Sequence, residues 1–350
     1  MLQWSEYAVL PGTGNMPSLG YAGPVTGIIS NMLVIAGGAN FPDGMPWEGG
    51  KKQYYNEAYI TAIDAGLPSF QKFTLPYKVA YSANCSTVQG IVCAGGEDKQ
   101  GPLNKVLLLQ WANNQLQATP LPDLPGAIAN AAAVAIGSKV FVAGGETTSV
   151  ALAGLQMLDL ADTSKGWQPL KNIPHAVSHT VLVATKDGKH IYLSGGRKKN
   201  SNGVSDLYNK VYEYDVANNR WTEKAPLPYT LSAGTGAMVN DHYIAMFGGD
   251  KGTTFHQTEE LISTIKKETD SVKKQQLVEE KIKLQSGHPG FSNEILLYDI
   301  KNNSWTAGGN IPFAVPATTT AVKKENRIWI PSGEIKAGVR TSQILSGEIK

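Results

Sequence analysis

The stretch Lys139-Val140-Phe141-Val142-Ala143-Gly144-Gly145-Glu146 decides the fold of this chain. It is a short apolar run that is stopped by two glycines and followed by an acidic residue. Apolar, β-branched and aromatic residues bounded by glycine are typical of a buried β-strand. Similar runs occur at residues 32–38, 91–96, 191–196, 243–249 and 327–333, the last with Ser332 in place of the first glycine. The sequence therefore predicts six equivalent strands.

The six runs recur at a nearly constant spacing. Their last glycines lie at positions 38, 96, 145, 196, 249 and 333, which gives spacings of 58, 49, 51, 53 and 84 residues. Four of the five spacings are close to the period of about 50 residues that is typical of kelch repeats. Regular recurrence of one strand indicates an array of similar sheets rather than a chain of unrelated domains.

A second pattern follows each double glycine in the same phase. It consists of a strand ending near an acidic residue, a turn, an aromatic residue, and an exit with leucine or isoleucine before proline. Residues 214–228 and 298–312 are the clearest copies, and their Asn-Asn pairs suit tight turns because asparagine tolerates positive φ. Each repeat then holds four strands, and six such sheets arranged radially predict an all-β, six-bladed kelch-type β-propeller. The content of 37 glycines and 19 prolines agrees with many short strands.

The two ends of the chain complement each other. Residues 1–11 resemble an outer aromatic strand and its exit, although no double-glycine strand precedes them. The sixth repeat, residues 314–350, lacks this outer strand. We therefore expect one propeller over residues 1–350, with strand 2–10 closing the last blade. Residues 1–11 are accordingly not expected to form a signal peptide.

The spacing of 84 residues contains an insertion at residues 250–290, in the fifth blade. Residues 256–286 are polar, balanced in charge and free of glycine and proline, which predicts one helix or two with a break near Thr269-Asp270. The insertion is either a solvated decoration or part of a site. Loops that leave the double-glycine strands open on one face, so the insertion should share that mouth with residues 39–54, 197–206 and 334–338.

Composition limits the kind of partner. The 31 basic and 29 acidic residues are mixed along the chain and give a net charge of +2, so no clustered basic face for nucleic acid is expected. No apolar run reaches the length of a membrane span. The sequence leaves the oligomeric state open.

Charged residues at the mouth are the candidates for chemistry. Glu97, Glu146 and Glu334 each follow a glycine in the same register, where a glutamate either caps the turn or serves a site. Arg197 and Arg340 are the two arginines expected to face the mouth. Because Glu334 and Arg340 flank one short hairpin loop, antiparallel pairing should bring them together. Such a pair is a salt bridge on an open surface, but in a cleft it can supply an acid or base and a receptor for a carboxylate.

Histidine and cysteine carry weaker signals. His175 and His179 are four residues apart, but no third ligand has matching spacing, so a structural role is favoured and no metal site is predicted. Cys85 and Cys93 lie nearly opposite each other across a predicted hairpin. They either pair or form two buried thiols, of which the second is the more ordinary arrangement.

The segment from Ser332 to Thr341 resembles a known family. Its sequence, Ser-Gly-Glu-Ile-Lys-Ala-Gly-Val-Arg-Thr, is similar to the Gly-Glu-(x)-Lys-x-Gly-(x)-Arg-Thr segment of the bacterial N-acetylneuraminate epimerase (sialic acid mutarotase) family. Residues 36–41, with Gly49-Gly50-Lys51-Lys52 and Tyr54, form a second match. The resemblance covers essentially the whole chain, in a circularly permuted form.

This resemblance implies an isomerase that interconverts the α and β anomers of free N-acetylneuraminate without a cofactor. It places the catalytic glutamate and arginine at Glu334 and Arg340. Arg197, Asn40, Glu97 and Glu146 are grouped with them as substrate-binding candidates. We expect a periplasmic protein, with the cytoplasm as the alternative.

Two other functions compete with this interpretation. A non-catalytic kelch propeller would bind a protein or a sialoglycan at the same mouth. The second alternative is a glycoside hydrolase or lectin that acts on sialoglycans. A sialidase would require an arginine triad and Ser-x-Asp-x-Gly-x-x-Trp turns, and the sequence has neither. Fold alone does not decide between these functions.

Overall fold

Six antiparallel four-stranded sheets form the body of the protein, seen in a computed structural model that describes all residues except Met1, Thr13 and Ala65. The first strands of neighbouring sheets lie side by side around a central axis, and the sixth sheet meets the first. The prediction of a six-bladed β-propeller with a helical insertion in the fifth blade is thereby confirmed. The part of the predicted N-terminal segment that falls on Met1 lies outside the described residues.

The blades are numbered here in chain order, and their strands run from the axis outwards. Blades 1 to 3 consist of Val25–Ile29, Met32–Ala36, Glu57–Ala62 and Gln71–Thr74; Ala83–Thr87, Gly90–Ala94, Val106–Ala112 and Gln115–Leu121; and Ala132–Ile136, Lys139–Ala143, Leu155–Asp159 and Gln168–Pro169. Blades 4 to 6 consist of Val181–Ala184, His190–Ser194, Val211–Asp215 and Arg220–Glu223; Thr235–Met238, Tyr243–Phe247, Glu294–Asp299 and Ser304–Asn310; and Val322–Lys324, Arg327–Lys336, Val339–Ile349 and Leu2–Val9.

Small elements decorate the ends of the blades. Three two-stranded hairpins pair Ala39–Asn40 with Gln53–Tyr54, Glu97–Asp98 with Gly101–Pro102, and Arg197–Lys199 with Ser205–Leu207. Two 3₁₀ turns lie at Pro46–Glu48 and Thr163–Lys165.

The hydrophobic core is divided among the blade interfaces. Each of six clusters combines side chains from two neighbouring blades, so every sheet buries both faces against its neighbours. Cys85 and Cys93 illustrate this division, because Cys85 belongs to the interface of blades 2 and 3 and Cys93 to that of blades 1 and 2. Both thiols are buried and free, which settles the open question of their pairing.

The double glycines connect adjacent blades. The amide of the second glycine donates to a backbone carbonyl of the next blade's inner loop, as in Gly38 to Val79 (2.7 Å) and Gly145 to Val177 (2.9 Å). A Cβ atom on Gly144 would lie 2.2 Å from the Val177 carbonyl oxygen, and φ at this residue is +64°. Both the backbone conformation and the close approach therefore require glycine there.

Leu2–Val9 is the outermost strand of blade 6 and pairs antiparallel with Val339–Ile349. Trp4 faces Gly347 in this ladder, and its indole packs edge-on against Phe247 of blade 5 at a centroid distance of 5.3 Å. The side chain is only 9% exposed. The first strand of the chain therefore completes the outer edge of the last sheet and contributes to the interface of blade 6 with blade 5.

The insertion forms two helices, α1 (Thr253–Lys267) and α2 (Ser271–Ser286), between the second and third strands of blade 5. Asp270 caps α2 by accepting a hydrogen bond from the Lys273 amide at 2.8 Å. Helix α1 lies against the Arg197–Leu207 hairpin, where Ser205 binds the Glu259 carboxylate, and α2 contacts the turn Pro46–Glu48. In the described part of the chain, neither helix has the length and apolar character needed to cross a bilayer.

Replacing Trp4 with alanine should lower the free energy of unfolding by about 3–5 kcal/mol, because it leaves a cavity between blades 5 and 6. Val9→Ala is a matched control on the same strand. Val9 is exposed, so its loss should change stability by less than about 0.5 kcal/mol. Urea unfolding of both variants measures the difference, and equal midpoints would show that Trp4 does not stabilise the closure.

Candidate functional site

A closed ring of six backbone hydrogen bonds surrounds the axis where the second strands end, the face called the mouth below. One residue per blade donates its amide to the carbonyl of the equivalent residue in the preceding blade, at 2.7–2.9 Å. The φ angles lie between 52° and 62°, the left-handed region. The members, called the ring residues below, are Gly23, Tyr81, Asn130, His179, Ala233 and Thr318.

The ring also places the charged residues that follow the glycines. The residue before each ring member pairs with the residue after the double glycine, in isolated antiparallel bridges. Six equivalent positions around the axis result, occupied by Ala39, Glu97, Glu146, Arg197, Asp250 and Glu334. Four of the predicted site residues thus stand at the same height around one opening.

Glu334 and Arg340 meet across the hairpin of blade 6. They are cross-strand partners, and Arg340 Nη1 donates to Glu334 Oε1 at 2.7 Å. The same oxygen accepts the amide of Gly338 at 2.7 Å. No described residue hydrogen-bonds to Glu334 Oε2 or to Arg340 Nη2. The carboxylate is thus fixed through one oxygen while the other is free to take a proton.

Arg340 is held tightly from its other side. Its Nε donates to the Ala39 carbonyl at 3.3 Å, and its guanidinium carbon lies 4.7 Å from the Phe41 ring centroid. The arginine side chain is 4% exposed, against 17% for Glu334. Both partners therefore sit in the wall of the mouth, and the pair differs from an exposed salt bridge, which contributes little.

Glu146, His179 and Arg197 form a second charged cluster on blades 3 and 4. Glu146 accepts hydrogen bonds from Asn130 Nδ2 (2.8 Å) and Ser178 Oγ (2.9 Å), one on each oxygen. Arg197 Nε donates to His179 Nδ1 at 3.3 Å, and its guanidinium lies over Phe255 of α1 at 4.6 Å. Burial, reinforced by the Arg197 charge, lowers the pKa of His179 well below its usual value, so the imidazole is neutral near pH 7.

Glu97 belongs to a third group, between blades 1 and 2. Its Oε1 accepts from Lys52 Nζ at 3.1 Å and from the Tyr54 hydroxyl at 2.7 Å. The Lys52 ammonium also lies 4.9 Å from the centroid of Tyr81. Glu97 therefore orients a lysine at the mouth.

Asn40 follows Ala39, whose carbonyl binds Arg340, and is buried, with 6% of its surface exposed. Its amide donates to the Gly20 carbonyl at 3.0 Å and accepts from the Tyr55 hydroxyl at 2.8 Å. In this arrangement Asn40 supports the wall next to the Glu334–Arg340 pair.

Three ring residues with functional side chains, Tyr81, Asn130 and His179, were not identified as mouth residues from the sequence. A signal for them exists, because each is the sixth residue after the leucine or isoleucine of an exit, at Leu75, Leu124 and Ile173. His175 does not accompany His179, since it packs against Tyr208 and Tyr212. In the described ranges no group of three or more His, Cys, Asp or Glu side chains could hold a metal ion.

The axis is hollow at the ring and at the end opposite the mouth. A cavity of about 100 Å³ lies at the ring, lined by ring residues and by small polar residues such as Asn84, Thr180 and Thr319. At the opposite end the channel widens to about 990 Å³ between the hairpins of the first and second strands. The charged groups of the mouth are absent from the lining of this wider end, so it lacks the predicted chemistry.

Sequence comparison identifies the family of this propeller. The family model described as N-acetylneuraminate epimerase matches residues 121–350, more than half of the chain. The chain belongs to the N-acetylneuraminate epimerase family. The resemblance inferred from residues 332–341 is thus confirmed at the level of the family.

Individual relatives of the family match a smaller part of the chain. N-acetylneuraminate epimerase 1 of Escherichia coli O6:H1 is 28% identical over 163 residues, which is 47% of this chain and 43% of that protein. N-acetylneuraminate epimerase of Haemophilus influenzae strain 86-028NP is 30% identical over 169 residues, 48% and 44% of the two chains. The matched segment spans less than half the length of these epimerases.

A solved structure supports the architecture over nearly the whole chain. The protein described as "Structure of YjhT" superposes with a TM-score of 0.65 and covers 93% of this chain and 94% of that one. Sequence identity in the superposition is 15%, so this likeness concerns the fold.

The Gly23→Ala variant tests the packing of the ring in this epimerase-family propeller. A Cβ atom on Gly23 would lie 2.4 Å from Tyr81 Cδ1 and 2.5 Å from the Tyr81 amide nitrogen. We expect stability to fall by about 1–3 kcal/mol from overpacking, added to about 1–2 kcal/mol for the left-handed backbone.

Gly137→Ala is the matched control, because Gly137 has φ +58° and nothing within 4 Å of its Cβ position. This variant should lose only the stability that a left-handed backbone costs an alanine. Urea unfolding compares the two variants, and equal losses would show that Tyr81 does not press on Gly23.

The depressed pKa of His179 makes stability depend on pH. On acidification below about 6.5 the unfolded chain takes up a proton at this histidine while the folded protein does not. Stability contributed by the neutral ring is therefore complete above that pH and is lost as the pH falls.

We expect His179→Gln to remove up to about 1.4 kcal/mol per pH unit from the slope of unfolding free energy between pH 6 and 5. Chemical unfolding at several pH values measures both slopes. Parallel curves for wild type and variant would contradict a neutral, buried His179.

Proposed function

We propose that this protein is a cofactor-independent mutarotase that interconverts the α and β anomers of free N-acetylneuraminate. The observation that carries the proposal is the Glu334–Arg340 pair, in which one carboxylate oxygen is fixed and Oε2 is without a hydrogen-bond partner among the described residues. Membership of the N-acetylneuraminate epimerase family supports the same reaction class.

The cations at the mouth suit a sugar acid. N-acetylneuraminate carries a carboxylate on its anomeric carbon, next to the hydroxyl that changes configuration. Arg340 offers Nη2 beside Glu334, and a planar guanidinium is well matched to a carboxylate. In this proposal Arg340 anchors the substrate acid, while Arg197 and Lys52 provide further positive charge around the opening.

Mutarotation through the open chain needs only proton transfers. Glu334 takes the proton of the anomeric hydroxyl, the bond between the anomeric carbon and the ring oxygen breaks, and the ring oxygen gains a proton. Rotation about the adjacent carbon–carbon bond presents the other face of the ketone, and the steps then reverse. The proposed reaction consumes no oxidant, reductant or group donor, in keeping with an absence of any cofactor requirement.

The required acceleration is modest. Exchange between anomers already proceeds in water, and each tenfold gain in rate corresponds to about 1.4 kcal/mol of barrier. A positioned acid or base typically supplies roughly a hundredfold to ten-thousandfold. One fixed carboxylate with a second proton donor is therefore sufficient chemistry.

The test is proton NMR on freshly released α-N-acetylneuraminate, following the approach to the anomeric equilibrium. Wild-type protein at catalytic concentration should shorten this approach strongly. Glu334→Gln should lose about a hundredfold or more of the acceleration while still binding the sugar, because it removes the base but retains the shape. Arg340→Met should weaken binding, since the substrate carboxylate loses its partner.

Glu325→Gln is the matched control, since Glu325 is on the same blade but lies at the opposite end of the axis. It should behave as wild type. If the wild-type protein leaves the exchange rate unchanged, the mutarotase proposal is wrong. A calorimetric titration showing sugar binding in that case would favour a non-catalytic binding propeller.

A further inference from the structure

We propose that Tyr81 is the second proton-transfer group of this site, donating to the sugar ring oxygen while Glu334 takes the proton of the anomeric hydroxyl. This inference rests on the proposed mutarotase function and adds a residue from blade 2 to a pair that belongs to blade 6. It is carried by the placement of the phenol, by its free hydroxyl and by the cation beside it.

The placement of Tyr81 is fixed by the ring. Its amide donates to Gly23 at 2.7 Å and its carbonyl accepts from Asn130 at 2.8 Å, with φ at +57°. Its aromatic ring lies over Gly23, where a Cβ atom would come within 2.4 Å. The side chain therefore leans out of blade 2 across blade 1, toward blade 6. Glu334 and Arg340 are close enough for their charges to influence the pKa of the phenol, which Arg340 lowers and Glu334 raises.

The hydroxyl of Tyr81 differs from those of neighbouring tyrosines. Tyr54 donates to Glu97, Tyr55 donates to Asn40, and Tyr21 shares a hydrogen bond with Tyr59. For Tyr81 the structure gives no hydroxyl partner among the described residues. A part-buried phenol at the mouth whose hydroxyl donates to no described residue has its donor available for a bound ligand.

The surroundings of Tyr81 suit proton donation. The phenol carries its proton near pH 7, and burial raises its pKa, which makes the proton harder to give up. The Lys52 ammonium, 4.9 Å from the ring centroid and held by Glu97, acts in the opposite direction by stabilising the phenolate. A departing sugar alkoxide is more basic than an ordinary phenolate, which favours proton transfer to the ring oxygen.

The proton balance closes over one cycle. As Glu334 Oε2 takes the anomeric proton, the bond between the anomeric carbon and the ring oxygen breaks, and the ring oxygen takes the Tyr81 proton. A neutral Glu334, a Tyr81 phenolate and the open-chain ketone result. On closure the sugar hydroxyl attacks the other face of the ketone and returns its proton to Tyr81. The new anomeric oxygen takes the proton back from Glu334.

The decisive experiment is Tyr81→Phe, assayed by NMR anomer exchange at saturating N-acetylneuraminate and by calorimetric titration with the same sugar. We expect kcat to fall about a hundredfold while the Kd stays within about threefold, because only the donor is removed. Tyr77→Phe is the matched control, because its buried hydroxyl also lacks a partner among the described residues and belongs to the preceding exit. This control should keep wild-type kcat.

Lys52→Gln provides a second variant that leaves Tyr81 in place. Loss of the cation beside the phenolate should lower kcat about tenfold, with the melting temperature retained. Wild-type kcat in Tyr81→Phe, or a loss of affinity without a loss of kcat, would overturn the role of Tyr81. An inactive wild-type protein would instead remove the proposed function, and this inference with it, so the two failures are distinguishable.

Discussion

The closed ring of six backbone hydrogen bonds is the constraint on which the arrangement of the mouth depends. Each bond links neighbouring blades, and each requires a left-handed backbone that costs a non-glycine residue about 1–2 kcal/mol. Five of the six members are not glycine, so the interblade contacts that hold them must outweigh this cost. The ring places the residue after each double glycine at an equivalent position around the axis. A charged side chain at that position in any blade therefore lies at the same opening.

Side-chain differences at equivalent ring positions give the mouth its asymmetry. Gly23 and Ala233 leave space at the opening, whereas the side chains of Tyr81 and His179 occupy space there. The space over Gly23 is taken by Tyr81 from the next blade, and the side of His179 is closed by Arg197 and by Phe255 of the inserted helix. A scaffold with sixfold repetition thereby yields a site whose charged groups differ from one side of the opening to the next.

Local steric requirements explain what could be predicted from the sequence. A double glycine after an apolar run can be recognised without knowing the rest of the chain. The positive φ and the close backbone approach at this point both require glycine. The Glu334–Arg340 contact was equally accessible, since a short hairpin sets cross-strand neighbours. Glu97 and Glu146 could be predicted as charged residues of the mouth. Their partners Lys52, Asn130 and Ser178 could not, because these lie on other segments or blades. Tyr81 was missed because its constant spacing from Leu75 gives its position but not its neighbours, which are residues about 50 apart that meet in the ring.

The shared use of Arg340 links binding to the proposed chemistry. In the free protein its guanidinium is paired with Glu334 at 2.7 Å, in a wall that is largely closed to water. In the proposed complex the substrate carboxylate takes Nη2, and the same cation then serves two anions. Sharing weakens its hold on Glu334, because the hydrogen bonds of one guanidinium are then divided between two carboxylates. Substrate binding would thus loosen the Glu334–Arg340 pair at the moment when the anomeric hydroxyl needs a base.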